Sequence, residues 1–185
     1  STFAKKRVVL LDFARPLGQA HLFLDLQPRF GIRDAVENLD RLDNHFLSGL
    51  LTHHRTNLEL LGGALDPEEW QSISISPLER IVNVAQTAFD MVLMDMGSQF
   101  SSDWNSVLLG ARFVLLVTEA DVPSLWTLDR RLRALSGFGI PPERIRVVVN
   151  RAHKGDEETL KSIQSPVFGY LPNDFRKVSA SVNFG

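Results

Sequence analysis

The sequence predicts an α/β fold: a doubly wound, mostly parallel sheet with helices on both faces. Three observations carry this. Apolar runs without polar alternation recur at residues 8–11, 91–94 and 113–117, and such runs suit strands buried on both faces; residues 145–149 and 167–171 read as further strands. Segments with helical spacing of apolar residues lie between them, and strands alternating with helices argue for parallel pairing. Each run also ends in a polar cluster: Asp12, Asp95, Thr118-Glu119, Asn150-Arg151 and Pro172-Asn173-Asp174. In a parallel sheet these clusters share the carboxyl edge, where open α/β sheets bind ligands. The competing explanation is that loops after buried strands are polar wherever they occur.

Composition bounds the function. The 185 residues suit one domain, 1–185, and 44% hydrophobic residues can form a core. A net charge of −2 gives no global attraction to nucleic acid or to anionic lipid. With no cysteine, disulfides and thiolate metal sites are excluded. No apolar stretch reaches the roughly 20 residues that span a bilayer, and no signal peptide is visible. The expectation is a cytoplasmic domain.

The elements follow in order. Lys5-Lys6-Arg7 leads into the first strand, which ends at Asp12; Arg15-Pro16-Leu17-Gly18 then makes a turn. Residues 31–36 and 42–51 read as short helices, and 57–61 as a short strand closed by Gly62-Gly63. Ser76-Pro77-Leu78-Glu79 reads as a helix start, with Ser76 as N-cap, Pro77 in the first helical position and Glu79 completing a capping box. Leu78, Ile81, Val82 and Ala85 form its buried face. The strand ending at Asp95 comes next. A lone Asp there suits Mg²⁺ coordination in nucleotide-hydrolysing α/β proteins; it equally suits capping of the Gly97 turn. A helix over 122–136 turns Leu125, Leu128, Leu132 and Leu135 inward and ends at Gly137. Asp156 caps a short helix carrying Leu160 and Ile163, and Asp174 begins the last one.

His45, His53 and His54 lack metal-site spacing and a carboxylate partner, so they read as surface residues. Arg130, Arg131 and Arg133 form a basic cluster on one helix, suited to solvent, anionic lipid or an acidic partner. Trp104 and Trp126 suit either a core or an interface.

The chain resembles the MinD/ParA branch of deviant P-loop ATPases, and most closely the TadZ/CpaE type that localises Flp (tight-adherence) pilus assembly. The matching stretches are VVLLDF (8–13), GIRDAVENLDRLD (31–43), LLTHHRTNLELLGG (50–63), FDMVLMDM (89–96), FVLLVTEADVPSL (113–125), RVVVNR (146–151) and VFGYLPNDFRKVSASVNFG (167–185). The resemblance implies ATP and Mg²⁺ as cofactors and a homodimer with the nucleotide between subunits. It further implies pilus or secretion-machinery proteins as partners, and a position at the membrane surface or cell pole. Ser1-Thr2-Phe3-Ala4 is similar to the tail of the phosphate-binding loop, with the Ser1 or Thr2 hydroxyl on Mg²⁺. The glycine-rich part and the following helix are absent there, so residues are expected to be missing before Ser1 and between Ala4 and Lys5. By the same resemblance, Asp95 holds Mg²⁺ through water and Asp12 lies near the γ-phosphate and its attacking water. Asn150 and Arg151 flank the adenine, and Pro172 and Asp174 lie in the loop that closes over it. Ala14 stands where the family usually has a second Asp, which leaves at most a weak ATPase. A nucleotide-independent scaffold and a ParA-like DNA-partitioning ATPase are the alternatives.

Overall fold

A computed structural model describes residues 6–71, 73–98, 101–161, 163 and 165–184. Seven strands and eight α-helices lie along them. The chain divides into two compact units, Ser1–Phe100 with Ala180–Gly185, and Ser101–Ser179.

The first unit holds a four-stranded sheet in the order β2-β3-β1-β4, formed by β1 (Val8–Asp12), β2 (Thr52–His54), β3 (Leu58–Leu61) and β4 (Met91–Asp95). β1 runs parallel to β3 and to β4, with Leu11 opposite Leu61 and Asp12 opposite Asp95. The strands exist because their side chains are apolar on both faces: Val9, Leu11, Leu60 and Leu61 are fully buried. β2 is the exception, pairing antiparallel to β3 through a tight turn with Asn57 in the left-handed region (φ 62°). It was not expected, since Thr-His-His carries no apolar signal.

The helices of this unit are α1 (Ala20–Phe23), α2 (Ile32–Glu37), α3 (Asn44–Leu50) and α4 (Ile75–Ala88). The Asp43 carboxylate accepts from Phe46 N at 2.7 Å and caps α3. α4 buries Leu78, Ile81, Val82 and Ala85, as its periodicity requires. Its start corrects the sequence reading: the N-cap is Ser74, not Ser76, and its side chain makes no capping hydrogen bond. Pro77 is the third helical residue, where a missing N–H still costs nothing because the first four have no intrahelical acceptor.

The second unit holds a parallel sheet in the order β5-β6-β7, from β5 (Val114–Thr118), β6 (Ile145–Ala152) and β7 (Val167–Pro172). The expected strands therefore form two hydrogen-bonded sheets rather than one. α5 (Asn105–Gly110), α6 (Val122–Gly137), α7 (Asp156–Leu160) and α8 (Phe175–Phe184) complete the helices. Asp121 caps α6 by accepting from Ser124 N at 2.8 Å, and Leu128 and Leu135 bury its inner face. α5 follows Trp104, which is buried. Its exposed carbonyl end is held by Arg144, whose guanidinium donates to Leu109 O at 2.7 Å, Leu108 O at 3.2 Å and Ala111 O.

Candidate functional site

In the first unit, β1 and β4 end level with each other, so Asp12 and Asp95 are register partners, joined where Phe13 N donates to Asp95 O at 2.8 Å. Their surroundings differ. Asp12 is 1% exposed, and both its oxygens are occupied: Oδ1 accepts from Ala14 N at 3.2 Å and Oδ2 from Ala20 N at 3.0 Å. The carboxylate thus ties the loop after β1 to the start of α1. Gly18 and Gly63 close over it. A Cβ on Gly18 would lie 2.5 Å from Gly63 Cα and 2.7 Å from Asp12 Oδ2, so only glycine fits. Burial pushes the Asp12 carboxyl above its ordinary 3.8; the two backbone N–H bonds pull it back, and the Asp95 charge raises it further.

Asp95 is exposed. Its Oδ1 accepts from Gly97 N at 2.8 Å, in a turn where Gly97 takes φ 59°. Its other oxygen has no protein partner among the described residues, which suits a hydrated cation reached through water. Among those residues no cluster of three or more His, Asp or Glu side chains is arranged to hold a metal. Ser1 and Thr2, and the junction of Ala4 with Lys5, lie outside the described residues.

In the second unit the carboxyl ends of β5 and β6 and the first turns of α6 enclose a cleft of about 270 Å³. Its polar lining is Thr118, Glu119, Ser124, Thr127, Arg131 and Asn150. The Asn150 amide makes no hydrogen bond to any described protein group, leaving a paired donor and acceptor for a base edge. Arg151, at φ 52°, swings out of the strand and pairs with Glu119 at 3.0 Å. Beside it, Pro172 pairs with Ala152 across β6 and β7. Asp174 caps α8, accepting from Lys177 N at 3.2 Å and pairing with Lys177 Nζ at 3.0 Å. The Lys177 bonds hold its carboxyl below the ordinary 3.8. Asn150, Arg151, Pro172 and Asp174 thus share one edge of this sheet.

Sequence reading missed the α6 contribution to the cleft. Ser124, Thr127 and Arg131 recur at i, i+3 and i+7, a spacing that could have marked them as one polar face. It also missed the carboxylate beside His53, whose Nδ1 lies 2.8 Å from Glu59 Oε1 across β2 and β3.

No family model matches the chain. It is 26% identical over 191 aligned positions to the septum site-determining protein MinD of Helicobacter pylori, covering 95% of this chain and 70% of that protein. Among solved structures, a ParA family ATPase from Chlorobium tepidum superposes with a TM-score of 0.87, at 22% identity, over 96% of this chain and 75% of the other. The chain has the fold of the MinD/ParA-type P-loop ATPases. A MinD from Pyrococcus horikoshii, solved as a complex with Mg-ADP, matches this MinD/ParA fold with a TM-score of 0.75 at 17% identity, over 96% of this chain and 74% of its own. Among the described residues no helix of this MinD/ParA-like chain is long and apolar enough to cross a membrane.

Proposed function

We propose that this chain is an ATP- and Mg²⁺-binding, MinD/ParA-like switch that dimerises on nucleotide and localises the assembly machinery of a Flp-type pilus. The observation that carries the nucleotide part is the division of labour between Asp12 and Asp95. One carboxylate is buried and organises the loop; its neighbour is exposed with an oxygen to spare. The Asn150 amide in the cleft, and the Mg-ADP held by the Pyrococcus horikoshii relative, support the same reading. The pilus assignment rests on the likeness of residues 8–13, 31–43, 50–63, 89–96, 113–125, 146–151 and 167–185 to the TadZ/CpaE type.

Bound Mg²⁺ would neutralise charge on the β- and γ-phosphates. In the first unit Asp95 would orient the ion through water; in the second unit the Asn150 amide offers a donor and an acceptor suited to a base edge. Asp12 would fix the loop that faces the phosphates.

A nucleotide-independent scaffold is the second reading. Two observations favour it: Ala14 replaces the usual family Asp, and both Asp12 oxygens are already bonded to backbone N–H groups. Titration of the intact protein with ATP separates the two. Saturable binding strengthened by Mg²⁺, with Asp95→Asn cancelling only the Mg²⁺-dependent increment, supports the switch. Absence of saturable binding leaves the scaffold.

A further inference from the structure

Strand β6 breaks step beside the cleft. Its pairing with β7 matches Val149 with Tyr170 and Ala152 with Pro172, so Asn150 and Arg151 together stand opposite the single Leu171. The extra residue makes a bulge, a device that bends a strand and re-aims its side chains. Arg151 carries the bend, at φ 52°. The left-handed region is costly for an arginine, and such a backbone persists only where its surroundings hold it.

The holder comes from the neighbouring strand. Thr118 and Val149 are register partners on β5 and β6, which sets Glu119 beside Asn150. One residue further on, Arg151 Nη1 donates to Glu119 Oε1 at 3.0 Å. The pair is open to water, with the Arg151 side chain 65% and the Glu119 side chain 41% exposed, so it adds little to stability. It nevertheless ties β5 to β6 at the residue whose amide has no protein partner among the described residues, and Glu119 and Asn150 both line the cleft. Bulges and strained residues gather where a side chain has to be held for a ligand. A merely decorative surface ion pair needs neither the bulge nor the left-handed arginine.

We propose that Glu119 is a positioning residue for the cleft. Its carboxylate holds the Arg151 guanidinium, the ion pair keeps the β6 bulge in shape, and the bulge fixes the Asn150 amide for a base edge. Glu119 acts through Asn150 and not on the ligand. This role rests on the nucleotide-binding proposal made above.

The test is calorimetric titration of the intact protein with ATP in the presence of Mg²⁺, for the parent, Glu119→Gln, Asn150→Ala and the double variant. Glu119→Gln keeps the shape of the side chain and loses its charge. It is expected to weaken ATP binding about fivefold, the equivalent of one lost hydrogen bond, at an unchanged melting temperature. Because Glu119 works through Asn150, the double variant binds no more weakly than Asn150→Ala alone. Arg151→Lys preserves an ion pair with Glu119 and stays within about twofold of the parent. A loss in Asn150→Ala that Glu119→Gln does not reproduce overturns the proposal and leaves the nucleotide reading standing. Losses that multiply in the double variant, to about 25-fold, also overturn it, because Glu119 would then act independently of Asn150. A parent that binds no ATP brings down both.

Discussion

Asp12 and Asp95 face each other in register at the ends of β1 and β4, and only Asp95 meets solvent. The buried carboxylate spends both oxygens on Ala14 N and Ala20 N. Asp12→Ala leaves those two donors without an acceptor and is expected to destabilise the protein by about 1–3 kcal/mol, measured by denaturant unfolding.

The raised Asp12 pKa gives a pH signature. Between the ordinary 3.8 and the raised folded-state value, the folded protein binds more protons than the unfolded chain, so stability falls as pH rises through that window. Asp12→Asn cannot titrate. The stability of the parent relative to Asp12→Asn is therefore expected to decline with rising pH across the window and to be flat above it. An increase over the same range, in paired unfolding curves, would contradict the burial assigned to Asp12.

Gly63→Ala tests the closure over that carboxylate. The new Cβ would lie 2.7 Å from Gly18 Cα and 2.8 Å from Asp12 O, both backbone atoms that cannot move aside cheaply. A loss of about 1–3 kcal/mol is expected. Gly49→Ala is the contrast: it sits in α3 with nothing within 4 Å of its Cβ, and should gain about 0.5–1 kcal/mol.

Arg144→Ala removes the donors for three carbonyls at the end of α5. About 1–3 kcal/mol of stability should go with it, and hydrogen exchange at residues 105–111 should accelerate. Arg144→Lys keeps the charge but lacks the planar fork, and recovers only part of the loss.

Asn150→Ala is expected to leave the melting temperature unchanged, because the amide has no protein partner among the described residues. If the amide reads the base, ATP affinity drops by about 1 kcal/mol per lost bond, roughly fivefold, and discrimination against GTP weakens. Calorimetric titration of both nucleotides measures this.

Most strands were legible because runs such as Met91-Val92-Leu93-Met94 and Val147-Val148-Val149 are apolar without interruption, although β4 lies at the sheet edge with Leu93 41% exposed, so the expected burial on both faces does not hold there. β2 was not, since its pairing comes from β3 and a turn rather than from its own side chains. The start of α4 was misplaced because Ser76-Pro77-x-Glu79 imitates a capping box that Ser74 pre-empts by two residues. Asp95 and Asn150 were visible as strand-end polar residues, and Pro172 as the start of the cluster that follows the last strand. The structural duty of Asp12 was hidden: it depends on Gly18 and Gly63, which are 45 positions apart and meet only when the chain folds.

Ala14 presses against the turn that follows Asp95; its Cβ would be 3.2 Å from a methyl placed on Gly97. Writing an aspartate back at this position is therefore not a one-letter repair. A third acidic group would add its charge beside Asp12 and Asp95, and its longer side chain would stand against the Gly97 turn. Installing an aspartate at position 14 would have to be paired with a change in the Gly97 turn.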